Sequence, residues 1–210
     1  MSAQMSRRAR RARQRRQEIV KAAVRVFSRK GFDRATTREI AEEADIAEGT
    51  IYKYFDTKRD LLMSIVAEAA PAFYEEAHPF ESTESSREEL VSSFDHALAF
   101  VTENKETLTI LVGEMWHDAE IRDEWLVKGG QDLVNGVTEK LAALAQQGAL
   151  RDIDPGLASR LFLSAGAGLL LPILMGTIDV RDPEARRTLA TEMIDMLMFG
   201  IWRRDPREQA

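Results

Sequence analysis

The sequence predicts an all-α fold. Apolar residues recur at helical spacing through most of the chain, no stretch shows the period-two alternation of a half-buried strand, and cap signals punctuate the apolar runs. At 210 residues, with 44% hydrophobic and 30% charged side chains, the chain is long enough to bury a core as one large domain or two small ones.

The elements follow in order. Residues 1–17 hold Arg7, Arg8, Arg10, Arg11, Arg13, Arg15 and Arg16 and no acid, so residues 1–13 are expected to form a disordered basic arm. From about Gln14 a helical stripe begins, with Ile19, Ala22, Ala23, Val26 and Phe27 on one face and Gly31 as its stop. Thr36 opens a second helix with Glu39 as capping-box partner, and Thr37 is the competing cap. Asp45-Ile46-Ala47 reads as a tight turn and Glu48 to Phe55 as a short helix. Asp56-Thr57 caps a longer helix through Leu61, Leu62, Ile65 and Val66, which Pro71 kinks or ends. His78 to Ser86 is loop-like.

Further along, Ser86 and Glu89 form a capping box before Leu90, Val91, Phe94 and Leu98. Helices are expected over Leu108 to His117 and, as one long amphipathic element, over Ala119 to Gln147, ended by Gly148. Asp154-Pro155 starts an apolar helix over 155–176, and Asp182-Pro183 starts the last one, over 183–203.

Composition excludes several functions. With no cysteine and only three histidines lacking ligand spacing, neither a disulfide nor a metal site is expected, and no cofactor motif is present. The Arg-rich start lacks the apolar stretch of a signal peptide, which fits a cytoplasmic protein. Leu161 to Ile178 carries no charge and reaches the lower length limit of a membrane span, but it contains three glycines and a proline and has no companion. A buried helix is the preferred reading, with no membrane partner. No nucleophile motif, phosphate loop or metal spacing supports an enzyme. The net charge of −6 divides unevenly: residues 1–62 hold 16 Lys/Arg against 9 Asp/Glu, the remainder 13 against 26. A basic head on an acidic body suggests that the head meets a polyanion.

Two short helices joined by three residues have the geometry of a helix-turn-helix. On the second, Ile51 and Phe55 share an inward face with Ile46, leaving Gly49, Thr50 and Lys53 outward and Tyr52 and Tyr54 on the flanks. These side chains reach base edges and phosphates, and glycine allows close backbone approach. Thr36 or Thr37 places a hydroxyl and free N–H groups against a phosphate, and Lys58 is a second phosphate clamp. Glu48 either accepts from cytosine or points away, with phosphate repulsion favouring the latter. The arginine arm either enters a neighbouring groove or remains a solubilising tail.

Residues Ile19 to Leu62 closely resemble the amino-terminal domain of the TetR family of repressors. Ala23 to Phe27, Gly31-Phe32, Thr36-Thr37 and Ile40-Ala41 carry the resemblance, and most specifically Gly49-Thr50-Ile51-Tyr52-Lys53-Tyr54-Phe55 with Lys58 and Leu61-Leu62. Two positions depart from the pattern: Asp45 replaces the usual turn glycine and Ala47 the usual capping serine. The resemblance implies a DNA-binding domain over 14–58 and a ligand-binding and dimerisation domain over 59–210. It implies DNA contacts at Thr37, Gly49, Thr50, Tyr52, Tyr54 and Lys58, with Lys53 a base reader.

It further implies a homodimer paired through the last two helices, where the apolar stripes Leu161, Ala165, Gly168, Leu169 and Met193, Leu197, Ile201 agree. A small, largely apolar effector is expected in the middle helices, lined by Phe73, Phe94, Leu98, Met115, Trp116, Trp125 and Phe162, with His117 or Glu114 as polar anchors. The partners expected are double-stranded operator DNA and that effector. The alternative is an architectural or activating DNA binder without one.

Overall fold

The computed structural model describes residues 7–77, 86–148 and 153–199, and every regular element among them is helical. In chain order these are α1 (Arg7–Lys30), α2 (Thr37–Glu43), α3 (Glu48–Ile51), α4 (Lys58–Ala77), α5 (Arg87–Glu103), α6 (Lys105–Glu114), α7 (Ala119–Arg122), a π-helical segment (Asp123–Gly129), α8 (Gly130–Gln146), α9 (Pro155–Met175) and α10 (Pro183–Phe199). They fall into two compact units. The first holds the chain to Ala72 together with Asn104–Gly129; the second holds Phe73–Glu103 and the residues from Gly130 onward. The first unit thus reaches beyond residue 58, the boundary expected from the sequence, and recovers a distant segment.

In the first unit α1 buries Ile19, Val20, Ala22, Ala23, Val26 and Phe27 and stops at Gly31, whose φ of 78° is the left-handed stop the sequence announced. It starts at Arg7 rather than near Gln14, because alanine and arginine are good helix formers and no breaker intervenes. Residues 7–13 of the expected arm are therefore helical. Thr36 wins the cap: its hydroxyl accepts from Glu39 N–H at 3.2 Å, and Glu39 accepts from Thr36 N–H at 3.1 Å.

The turn that follows bends through Asp45 at φ 52°, the one non-glycine with positive φ among the described residues. Next, α3 is a single turn, shorter than 48–55, because its Ala47 cap supplies no side-chain bond and Gly49 and two β-branched residues propagate a helix poorly. A reciprocal Thr57–Asp60 pair, 2.9 and 3.1 Å, then opens α4. This helix does not end at Pro71 but continues to Ala77.

The second unit packs α8 on α9, α10 on α5 and α5 on α9. Arg87 grips Asp195 with two bonds of 2.5 and 2.6 Å, and Arg186 meets Asp95 at 2.8 Å. Deep in the α8–α9 contact, Thr138 and Ser159 share a hydroxyl bond of 2.7 Å, which satisfies a serine with no exposed surface. Gly166 lets α9 approach Phe94, since a Cβ there would lie 2.9 Å from the ring. Asp154 and Asp182 cap α9 and α10 as expected, accepting from Leu157 N–H at 2.7 Å and Ala185 N–H at 2.8 Å.

Two expectations are corrected here. The helix over 119–147 runs without a break to Gln146 but is not a regular α-helix throughout: it widens into the π-helical segment Asp123–Gly129. Helix α9 is not buried either. Of its residues only Ser159 and Ile173 are buried, while Leu157, Leu161, Leu171 and Met175 are 50%, 55%, 54% and 70% exposed. One side of α9 packs on its neighbours and the other has no cover within the second unit's described residues. It alone among the described helices is long and apolar enough to cross a membrane.

A backbone test follows from Asp45. Asp45→Val should lower the stability of the first unit by about 1–2 kcal/mol, because a β-branched residue resists positive φ. Asp45→Gly should not lower it. Urea unfolding of the two variants measures the difference.

Candidate nucleic-acid interface

The two short helices and their turn form a helix-turn-helix whose inner face is Ile40, Ala41, Ile51 and Phe55, all buried. Phe55 faces inward as its phase requires, and Arg16 lies over its ring at 4.8 Å. The outer face carries the expected contact residues. Gly49, Tyr52 and Lys53 are exposed, while Thr37, Thr50 and Tyr54 are half-buried and Thr36 is exposed at the cap. Tyr52 leaves 50% of its surface in solvent, unusual for a residue of its size. A Cβ at Gly49 would meet nothing within 4 Å, so no neighbour within the chain requires glycine there.

Polar bonds organise this face. Thr37 Oγ1 lies 2.6 Å from Glu48 Oε1 and 3.1 Å from Tyr52 Oη. A carboxylate only accepts, so the Thr37 proton goes to Glu48 and Tyr52 donates to Thr37. The relay ties α2 to α3 and turns Glu48 toward a threonine. Sequence reasoning singled out all three residues but missed their connection, since the contact spans a turn with no fixed spacing.

Lys58 is placed differently from the expectation. Its Nζ donates to the carbonyls of Phe32 at 2.6 Å, Ala35 at 2.9 Å and Asp33 at 3.2 Å, and sits 4.3 Å from the centre of the Phe32 ring. An ammonium has three protons, and all three are committed. It therefore ties the α1–α2 loop to the start of α4 rather than waiting for a phosphate.

Arg59, beside it, pairs with Asp118 and with Glu120 at 2.7 Å, and Asp118 caps α7 by accepting from Glu120 N–H at 3.0 Å and Ile121 N–H at 3.3 Å. The Arg59 hydrogen bond holds the Asp118 carboxyl below its ordinary range. Glu114 is raised instead, chiefly by burial and then by the nearby Asp33 charge. These bonds attach the segment Asn104–Gly129 to the helix-turn-helix unit, a link with no local signal in the sequence.

The expected effector residues divide between the units. Met115, Trp116, His117 and Trp125 belong to the first, and Phe73, Phe94, Leu98 and Phe162 to the second. Trp116 is 73% exposed and His117 is exposed as well, because they follow the carboxyl end of α6 in a surface turn; neither lines an interior within this unit. Trp125 and Leu98 are buried, Met115, Phe94 and Phe162 half-buried, and Phe73 meets Phe100 edge-on at 5.6 Å. Of the expected seam, Leu161, Gly168 and Leu197 are exposed and Ala165 and Leu169 half-buried. Met193 is a correction: its face of α10 turns inward with Ala190 and Ile194, leaving it 7% exposed. Ile201 lies outside the described residues.

Fold and surface together define a helix-turn-helix DNA-binding regulator. Residues 19–65 match the family model of bacterial regulatory proteins of the tetR family, and residues 90–199 that of the carboxyl-terminal domain of AefR-like transcriptional repressors. The chain belongs to the tetR family. It is 31% identical over 96 residues to the fatty acid metabolism regulator protein of Bacillus subtilis, covering 41% of this chain and 50% of that protein. It is 27% identical over 143 residues to the transcriptional regulator HbdR of Aromatoleum sp., covering 67% and 62%. The matches thus span about half to three fifths of those relatives' lengths. The transcriptional regulator FadR of Bacillus subtilis in complex with stearoyl-CoA shares the fold, with a TM-score of 0.65 at 19% identity over 89% of this chain and 99% of that one.

Two outcomes test these assignments. Lys58→Met should lower the stability of the first unit by about 2 kcal/mol, the range for charge-assisted hydrogen bonds, and leave the salt dependence of DNA binding unchanged. Thermal unfolding and DNA titrations at several salt concentrations check it; a weakened salt dependence at full stability would restore the phosphate clamp. Asp118 has a lowered folded pKa, so its stabilisation is complete above the unfolded carboxyl range and lost as pH falls through the lowered value. Arg59→Gln should therefore lower stability at neutral pH and flatten its decline in acid, read by tryptophan fluorescence during an acid titration.

Proposed function

We propose that this chain is a ligand-responsive transcriptional repressor of the cytoplasm that binds a palindromic operator as a homodimer. The observation that carries the reading is the outward face of the helix-turn-helix, where a tyrosine that leaves half its surface in solvent lies beside an exposed lysine and an exposed glycine with open space around it. Tyr52 and Lys53 read base edges, Gly49 and Thr50 meet the backbone, and Thr36 and Thr37 present the α2 amino terminus to a phosphate. Two such heads are needed for two half-sites. The bare side of α9, with Leu157, Leu161 and Leu171, and the outer residues of α10, Met196, Leu197 and Phe199, supply the apolar surface for pairing. A seam between copies accounts for that surface without a membrane.

For the effector, the aromatic residues Phe73, Phe94, Phe100 and Phe162 of the second unit suit a long apolar chain. One relative regulates fatty acid metabolism and one structural neighbour holds stearoyl-CoA, which makes fatty acyl thioesters the first class to examine. Such an effector releases DNA only through its greater affinity for the state that does not fit the operator. The same relatives favour a ligand-responsive regulator over an architectural DNA binder.

The test is selection of bound duplexes from a random pool, followed by titration of the selected duplex with long-chain acyl-CoA. A palindrome should emerge, the Tyr52→Ala/Lys53→Ala variant should lose it, and acyl-CoA should weaken binding at least tenfold, about 1.4 kcal/mol. Sequence-independent binding alone would overturn the helix-turn-helix as the reader. No response to acyl-CoA would overturn the effector class.

A further inference from the structure

We propose that the amino-terminal half of α1 is part of the DNA interface, forming with Lys53 and Tyr54 a cationic groove that holds the phosphodiester backbone beside the sequence read by α3. The proposal rests on the helix-turn-helix reading above and extends it to a second element.

The phase of α1 carries the argument. Arg8, Ala12, Arg15, Ile19, Ala22 and Val26 lie at i, i+4, i+7, i+11, i+14 and i+18, one continuous helical face. From Ile19 onward that face is the core of the first unit and carries aliphatic residues. Before Ile19 the helix runs past the core, and the same face carries arginine. Arg7 lies twelve residue steps before Ile19, about 18 Å at 1.5 Å per step, long enough to follow a strand past several charges.

What this stripe faces is the turn after α3. Arg8, Arg11, Arg15 and Glu18 line an open groove of about 520 Å³ with Lys53 and Tyr54, the latter two from the expected recognition segment. Four cations thus face one carboxylate. That carboxylate is already engaged, by Arg15 at 2.8 Å and by Gln14 at 3.2 Å. Among the described residues no carboxylate pairs with Arg8, Arg11 or Lys53. Three other arginines of α1 do have partners: Arg16 bonds Ser64 at 2.6 Å, and Arg25 and Arg29 both hold Glu43 at 2.6 Å. Unneutralised guanidinium groups converging on an open groove, with a phenol beside them, match a phosphodiester chain, which supplies one acceptor-rich anion per nucleotide.

The experiment is the salt dependence of binding to a fluorescein-labelled duplex of random sequence, using the full chain, together with operator selection on the same protein. Arg8→Ala/Arg11→Ala should reduce the slope of log affinity against log salt by about 1.8, two counterions' worth at about 0.9 each. Arg8→Lys/Arg11→Lys should restore most of it. Lys105→Ala/Arg181→Ala, which removes the same charge elsewhere, should leave the slope unchanged. Circular dichroism verifies that each variant keeps its helix content.

If the wild type selects a palindrome but the Arg8→Ala/Arg11→Ala slope equals its own, the groove is not a DNA contact and this proposal falls alone. If the wild type shows no DNA binding, the functional reading falls with it. Calorimetry with inorganic pyrophosphate separates the sources of phosphate. Tight binding of pyrophosphate that leaves DNA affinity unchanged would assign the groove to a free anion and overturn the proposal.

Discussion

Short helices cannot stand alone, and the head of this molecule is built around that constraint. With seven residues in α2 and four in α3, neither reaches the length at which a helix persists in water. They exist because Ile40, Ala41, Ile51 and Phe55 are buried with Ile19, Val26 and Phe27 of α1 and Leu61, Leu62 and Ile65 of α4. The proposed recognition face of α3 is therefore held from behind. The Lys58 ammonium, by gathering three loop carbonyls, satisfies backbone that would otherwise lack partners where the chain turns from α1 into α2. The outward face of α3 gains its rigidity from the long helices packed behind it.

The same constraint explains why the head claims a distant piece of chain. Helices α6 and α7 follow the second unit's α5 in sequence yet belong to the first unit, where α6 packs on α1 and Asp118 receives Arg59 from the first turn of α4. The chain consequently crosses between units near Ala72, Glu103 and Gly129. The first crossing lies within α4 and the third at the end of the π-helical segment.

Much of the fold was legible because caps are local. Thr36 with Glu39, Ser86 with Glu89, Asp154 and Asp182 each satisfy helix N–H groups within three residues, so the sequence spacing is the structure. Gly31, Gly148 and Gly176 adopt the left-handed stops that glycine uniquely tolerates. What stayed hidden depends on partners far along the chain. Nothing near Lys58 distinguishes an ammonium bound to carbonyls from one free to meet phosphate, and nothing near Met193 says which side of an apolar helix faces inward. The helical state of Arg7 to Arg13 was missed because absent apolar periodicity was read as disorder, although helix propensity and a nucleated neighbour suffice to extend a helix backward.

Charge then separates the tasks of the two regions. Residues 1–62 carry a surplus of seven positive charges and the remainder a surplus of thirteen negative ones, so a polyanion is drawn to one and repelled by the other, which orients the encounter. The acidic surplus has a second consequence for the proposed dimer. A two-fold interface sets each surface against its own copy, and two acidic bodies repel unless the seam is free of charge. Residues 161–178 contain no ionisable side chain at all, in a chain where 30% of residues are charged. The bare side of α9 is thus where two such bodies can meet without placing like charges together. This also accounts for why so apolar a helix is left uncovered within one chain while the shorter apolar stretches are buried.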